Sequence, residues 1–189
     1  DWDEMLKRMG TFKRAEQEEM EHYEQHLNSV SPDINVSTSN IKMDVEATSE
    51  TIEQLTDRNS QWRKDLRAAI KAKDRMAIPR VVMPELDAEY RSHTRNEEVN
   101  KGLTKEMAMT EARRCLDCAR PSCVTGCPVS IDIPSFIKNI ERGQFIAAAK
   151  VLKNTSSLPA VCGRVCPQEK QCESKCVHLK TGEPAVAIG

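Results

Sequence analysis

Aromatic residues are scarce in this 189-residue chain: two Trp, two Tyr and three Phe, or 4%. Few rings leave little to stack against nucleic-acid bases. The formal net charge is −1, with 28 Lys and Arg against 29 Asp and Glu. No cationic field therefore gathers nucleic acid or an anionic membrane, and neither is expected as a partner. There is no run of about 18 apolar residues, so no transmembrane helix is predicted. There is no Gly-x-Gly-x-x-Gly fingerprint, so no dinucleotide site is expected within these residues. No apolar signal segment is seen, which weighs against a secreted disulfide scaffold. The length suits one ordinary domain with an appendage.

Cysteine is abundant and confined. All eight lie between Cys115 and Cys176, in two runs of four. The first is Cys115-x2-Cys118-x4-Cys123-x3-Cys127-Pro128; the second is Cys162-x3-Cys166-Pro167-x4-Cys172-x3-Cys176. Thiolates are soft donors that select Zn, Cu(I) or iron–sulfur iron over Mg or Ca. Iron–sulfur clusters take four cysteines each, and two-cluster ferredoxins use short-spaced runs ending in Cys-Pro, whose last cysteine serves the other cluster. The first run has that form with a longer middle spacing. A Cys-x2-Cys-x4-Cys loop wraps one cube with three ligands and carries Cys127 past it. Two readings compete. Paired structural zinc sites more often show two Cys-x2-Cys knuckles, and the second run has none. Disulfides need an oxidising compartment.

The stretch from Glu111 to Ile137 (Glu-Ala-Arg-Arg-Cys-Leu-Asp-Cys-Ala-Arg-Pro-Ser-Cys-Val-Thr-Gly-Cys-Pro-Val-Ser-Ile-Asp-Ile-Pro-Ser-Phe-Ile) resembles the N-terminal iron–sulfur domain of the glutamate synthase small (beta) subunit family. Relatives of that family include dihydropyrimidine dehydrogenase, whose domain II it matches, and the large subunit of NADH-dependent ferredoxin:NADP oxidoreductase. The segments 79–87 and 160–176 fit it too, so the likeness covers about residues 76–189. It implies an all-α, α-helical ferredoxin-like fold with two [4Fe–4S] clusters. Carried over residue by residue, it assigns Cys115, Cys118, Cys123 and Cys176 to cluster one. Cys127, Cys166 and Cys172 go to cluster two. Several members complete the second cluster with a Glu or Gln a few residues beyond an Ile-Gly like Ile188-Gly189, which would lie past the end of this chain. Cys162 is a spare thiol, either a buried neighbour or a substitute ligand.

The rest of the chain supports or tethers this stretch. Residues 1–27 have helical periodicity through Trp2, Met5, Leu6, Met9 and Phe12. Their opening resembles the tail of a dihydroorotate dehydrogenase electron-transfer subunit, as a fusion of the two subunits would produce. Residues 28–49 are polar around Pro32 and read as a linker. Residues 50–110 are expected to form a helical extension on the cluster domain, 111–189, which is expected to be cut short at its C-terminus. One helix is predicted over 50–74, capped by Thr48 or Ser49, with Arg63, Lys64, Arg67, Lys71 and Lys73 on a solvated face. Thr104 is predicted to cap a helix that delivers Cys115. A hairpin follows: a helix from about Pro134 to Gly143 with Phe136, Ile137 and Ile140 inward, then a second through Phe145, Ala148, Ala149 and Leu152. A short helix is predicted over 168–176. His22, His26 and His93 read as surface residues and His178 as a contact beside a cluster. Arg113, Arg114, Arg120, Arg164, Lys170 and Lys175 flank the cysteines, and cations there would raise a cluster's potential.

The expected function is an electron relay with no catalytic acid, base or nucleophile. The resemblance implies that FAD- and NADPH-binding domains follow, and that the clusters pass electrons to a second flavin. That flavin would be the FMN of a glutamate synthase large-subunit-like partner, or would belong to a flavin reductase partner. A zinc-stabilised interaction module is the alternative. Within the family, so are dihydropyrimidine dehydrogenase-like and ferredoxin:NADP oxidoreductase-like subunits. Reduced thiols imply the cytoplasm.

Overall fold

Thr51 opens the first described helix with a capping box. Its hydroxyl accepts from the Gln54 amide at 3.3 Å, and the Gln54 side chain accepts from the Thr51 amide at 2.8 Å. The structure is a computed structural model and describes residues 49–189. The expectations for residues 1–27, His22 and His26 included, and for all but the end of the 28–49 linker lie outside the described residues.

The single helix predicted over 50–74 is instead three: α1 (Ile52–Thr56), α2 (Gln61–Ala69) and α3 (Ala72–Ala77). The break has a local cause. The Asp57 carboxylate accepts from the Asn59 amide at 2.8 Å, and side chains that bond their own backbone in this way compete with a helix. Thr51, not Ser49, is the cap. Residues 78–87 then run extended around Pro79 and Pro84, joined to the chain ahead by one isolated bridge between Glu85 and Asn100. Asp87 caps α4 (Ala88–His93). Thr104 caps α5 (Lys105–Arg113) as predicted, accepting from the Met107 amide at 3.3 Å.

After the short α6 (Ser122–Thr125) comes the hairpin, α7 (Ile133–Glu141) and α8 (Phe145–Lys153), followed by α9 (Pro159–Val165). Asp132 caps α7 and Pro134 lies in its first turn, where a missing N–H is harmless. Gly143 makes the reversal at φ +79°, a conformation that favours glycine. Residues 168–181 form three 3₁₀ turns, Gln168–Lys170, Glu173–Lys175 and Val177–Thr181, rather than the helix predicted over 168–176. Gln171, at φ −110° and ψ −107°, interrupts it. Among the described residues no strand occurs, and the fold is all-α.

The core lies where α7 meets α5 and α8. Every residue of α7 is buried except Ile140, one of the three assigned to its inner stripe; Phe136 and Ile137 are buried as expected. The second helix forms as predicted; on α8 the buried residues are Ala147, Ala148 and Val151, with Leu152 packed against the core beside them. Small side chains there let α8 sit close against α7 and α1. No described helix is long and apolar enough to cross a membrane.

Charge is buried with the core. Arg114 is 1% exposed and its guanidinium holds Glu111 at 2.6 Å, with the carbonyls of Ile78, Pro184 and Ala185 around it. Glu111 also accepts from the amides of Val81 and Ala187, at 2.8 Å each. One ion pair thus ties both the extended segment and the C-terminal tail to α5. Removing one partner of such a pair strands the other without water. Glu111→Ala is expected to destabilise the protein by about 3–5 kcal/mol, read from urea unfolding by circular dichroism. The tail from Pro184 should become the first site of limited proteolysis.

Candidate metal centre

The two cysteine runs do not form two separate groups; they interleave. Cys115, Cys118 and Cys123 of the first run line one recess together with Cys176 of the second. Ile133, Pro134 and Ile137 of α7 form one wall, and Val186 and Ile188 of the tail another. Each thiol arrives differently. Cys115 follows the last turn of α5, its amide bonded to the Ala112 carbonyl at 3.1 Å. Cys118 follows a loop through Asp117, and Cys123 sits on the single turn of α6. Cys176 ends the second 3₁₀ turn.

The remaining four also come together. Cys166 lies at the end of α9, its amide 3.0 Å from the Cys162 carbonyl. Burial, followed by the neighbouring Cys162 and Cys127 thiols, pushes the Cys166 thiol up. Burial likewise raises Cys172, with Cys127 adding to it. Cys162 lies 3.9 Å from the Ser156 hydroxyl and is half-buried. Its side chain therefore touches a hydroxyl and a thiol. Among the described residues no three His, Cys, Asp or Glu side chains converge tightly enough for one metal ion. The first four thiols stand around a recess rather than at a point, which suits a four-iron cube with one cysteine on each iron.

The thiols are poorly disposed to ionise alone. Burial, then the crowding of Cys115, Cys176 and Cys118, pushes Cys123 up to about 12. Burial also raises Cys115 and Cys118. Soft-metal binding needs thiolates, so loading this ring must displace protons. The donor set and its apolar walls fit a cysteine-ligated iron–sulfur cluster.

Cations approach the first ring from residues that the spacing pattern did not flag. Lys138, fully buried on α7, donates to the Cys115 carbonyl at 2.6 Å and pairs with Glu141. Glu141 in turn binds Arg75 at 2.8 Å. Asp117, between Cys115 and Cys118, is fully buried at φ +52°. Burial opposes its ionisation, but the Arg63 hydrogen bonds and charge, with Arg67, outweigh it and hold the carboxyl below its usual range. Arg63 and Arg67 were expected on a solvated face. Arg63 is instead 2% exposed, because its guanidinium meets Asp117 at 2.6 Å; Arg67 is the second partner of that carboxylate. A lone Asp inside Cys-x2-Cys was the available signal. Which arginine it would choose lay some fifty residues upstream.

Of the flanking cations, Arg114 points inward to the tail, Lys175 lines the first recess, and Arg164 pairs with Glu98 at the surface. Arg113, Arg120 and Lys170 are exposed. His93 is exposed as expected. His178 is fully buried, with Nε2 3.0 Å from the Arg114 carbonyl, and burial lowers its pKa.

The family model described as dihydropyrimidine dehydrogenase domain II, 4Fe-4S cluster, matches residues 91–189, more than half of the chain. The chain belongs to this family. The UacF protein of Escherichia coli (strain K12) is 43% identical over 93 residues, 49% of this chain and 14% of the relative. The glutamate synthase [NADPH] small chain of Halomonas elongata is 41% identical over 92 residues, 49% of this chain and 19% of the relative. The NAD-dependent dihydropyrimidine dehydrogenase subunit PreT of Escherichia coli (strain K12) is 38% identical over 88 residues, 47% and 21%. The chain thus matches about a fifth or less of the length of these relatives, several of which are named as oxidoreductase subunits.

Two outcomes follow from the packing. In the metal-free chain, Cys123 alkylation by iodoacetamide should be slow at pH 8, where roughly one thiol in ten thousand is ionised at a pKa near 12. Mass spectrometry should show its rate rising about tenfold per pH unit to pH 10. A Cβ on Gly126 would lie 2.7 Å from the Gln171 carbonyl and 3.1 Å from the Cys172 Cα, where the two runs pack. Gly126→Ala should therefore lower bound iron, measured by colorimetric assay.

Proposed function

We propose that this chain is the electron-relay segment of an NADPH-dependent flavin and iron–sulfur oxidoreductase of the glutamate synthase kind. Cys115, Cys118, Cys123 and Cys176 hold one [4Fe–4S] cluster. Cys127, Cys166 and Cys172 supply ligands to a second, with Cys162 as a neighbour already engaged by Ser156 and Cys166. The observation that carries this reading is the interleaving itself. The donor that closes the first ring comes from the far end of the second run, in a family whose model is described by its 4Fe-4S cluster.

The clusters would supply one-electron redox chemistry, so that the two electrons of a nicotinamide hydride cross singly. The protein supplies the surroundings. Ile133, Ile137 and Val186 keep water from the first ring, and Lys138 and Arg58 place positive charge beside it. Positive charge near a cluster favours its reduced state. NADPH and FAD would bind in other domains of the longer protein. The acceptor would be a second flavin, the FMN of a glutamate synthase large-subunit-like partner. Assembly of thiolate-held iron would suit the reducing cytoplasm.

Anaerobically purified or reconstituted protein should be brown, absorbing near ~400 nm from sulfur-to-iron charge transfer. Cys123→Ser should remove about four iron atoms per chain while leaving the second group's iron. Iron unchanged by that substitution, or a colourless protein with stoichiometric zinc, would overturn the reading.

A further inference from the structure

We propose that Arg63, acting with Arg58 and Arg67 through Asp117, is a positioning residue for the first thiol ring, so that the helices ahead of the matched family segment form part of the metal centre. The inference rests on the iron–sulfur reading above and adds to it. Residues 52–69 lie before the region 91–189 that the family model matches.

Asp117 sits between two thiols of the ring and has a left-handed backbone at φ +52°. A residue there turns the chain sharply enough for Cys115 and Cys118 to reach the same recess. The conformation is unfavourable for a non-glycine residue and persists where surroundings hold it. Here three arginines do so. Arg63 Nε donates to both carboxylate oxygens at 3.1 Å, and Nη2 to Oδ1 at 2.6 Å. Arg67 takes the other side of the carboxylate. Arg58 donates twice to the Asp117 carbonyl, at 3.2 and 2.9 Å. Carboxylate and carbonyl oxygens alike are held from the same short stretch of chain.

Arg63 extends the restraint further. Its Nη1 donates to the Thr56 carbonyl at the end of α1 and to the Ser135 hydroxyl on α7, at 3.0 and 2.8 Å. Ser135 stands next to Pro134, a wall of the recess. One guanidinium therefore sets the thiol loop against the wall it faces. Arginine suits this role because its planar fork fixes direction as well as charge. The arrangement also leaves positive charge in excess around an anionic loop. Groups that orient metal ligands commonly change metal affinity 10–100-fold when removed.

The test compares the unaltered chain with Arg67→Gln, Arg63→Lys and Arg142→Gln, all loaded anaerobically. Arg67 is 23% exposed, so its loss should spare the fold. Arg142 pairs with Glu50 and Asn139 and stacks 4.1 Å from the Trp62 ring, none of them a residue of the thiol loop, and serves as control. First-ring iron is defined as the portion missing from Cys123→Ser. In Arg67→Gln its release to a ferrous chelator should accelerate on the order of tenfold, with the second group's iron unaffected. Arg63→Lys should do the same more strongly, because lysine keeps the charge and loses the fork. One reduction potential should fall in Arg67→Gln while the other stays. Arg142→Gln should match the unaltered chain. In metal-free chains, alkylation should speed up at Cys118 but not at Cys172. Equal release from both groups, or release in Arg67→Gln and Arg63→Lys no faster than in the control, overturns this inference alone. An unaltered chain that holds no iron overturns the underlying reading and this inference with it.

Discussion

Buried ion pairs hold the cysteine loops in place, and the rest of the structure depends on them. The thiols sit on loops, single turns and helix ends, which have little rigidity of their own. Asp117 is gripped by Arg63 and Arg67, the Cys115 carbonyl by Lys138, and the tail by Glu111 and Arg114. Buried charges are tolerated only when paired and hydrogen-bonded, so each pair is also a strong directional restraint. A wrong loop position would strand a charge away from water. The fold thereby converts electrostatic penalty into thiol geometry.

The apolar core is small by comparison and serves a second purpose. Its central helix, α7, turns Phe136 toward its neighbours and Ile133 and Ile137 toward the first ring. The same helix carries Lys138 and Ser135, the groups that reach the thiol loop or its arginine. Core and site are one structure here. A substitution on α7 would therefore be felt in both stability and the surroundings of the thiols. The tail acts similarly, since Glu111 and Glu173 hold its amides while Val186 and Ile188 close the recess.

Sequence reading succeeded where the physical cause was local. Thr104 and Gly143 mark the ends of helices because capping and left-handed turns depend on neighbouring atoms. It failed over 50–74, where the periodicity of Leu55, Trp62 and Leu66 looked continuous but Asp57 to Ser60 made a turn. It failed again over 168–176, where Gln171, at φ −110° and ψ −107°, splits the segment into 3₁₀ turns. Arginines on α2 looked like a solvated face because charge normally faces water. Their buried partner, Asp117, lies about fifty residues away in sequence.

From the order of residues alone came the donor type, the two runs, the helical class and the family likeness, because thiol chemistry and short spacings are properties of the chain itself. Tertiary structure decided which cations stand beside the thiols and which helices hold their loops. Lys138, Arg63 and Arg58 approach the ring from other elements. A charge finds its partner by proximity in space and exclusion of water, and neither is written in the spacing of residues along the chain.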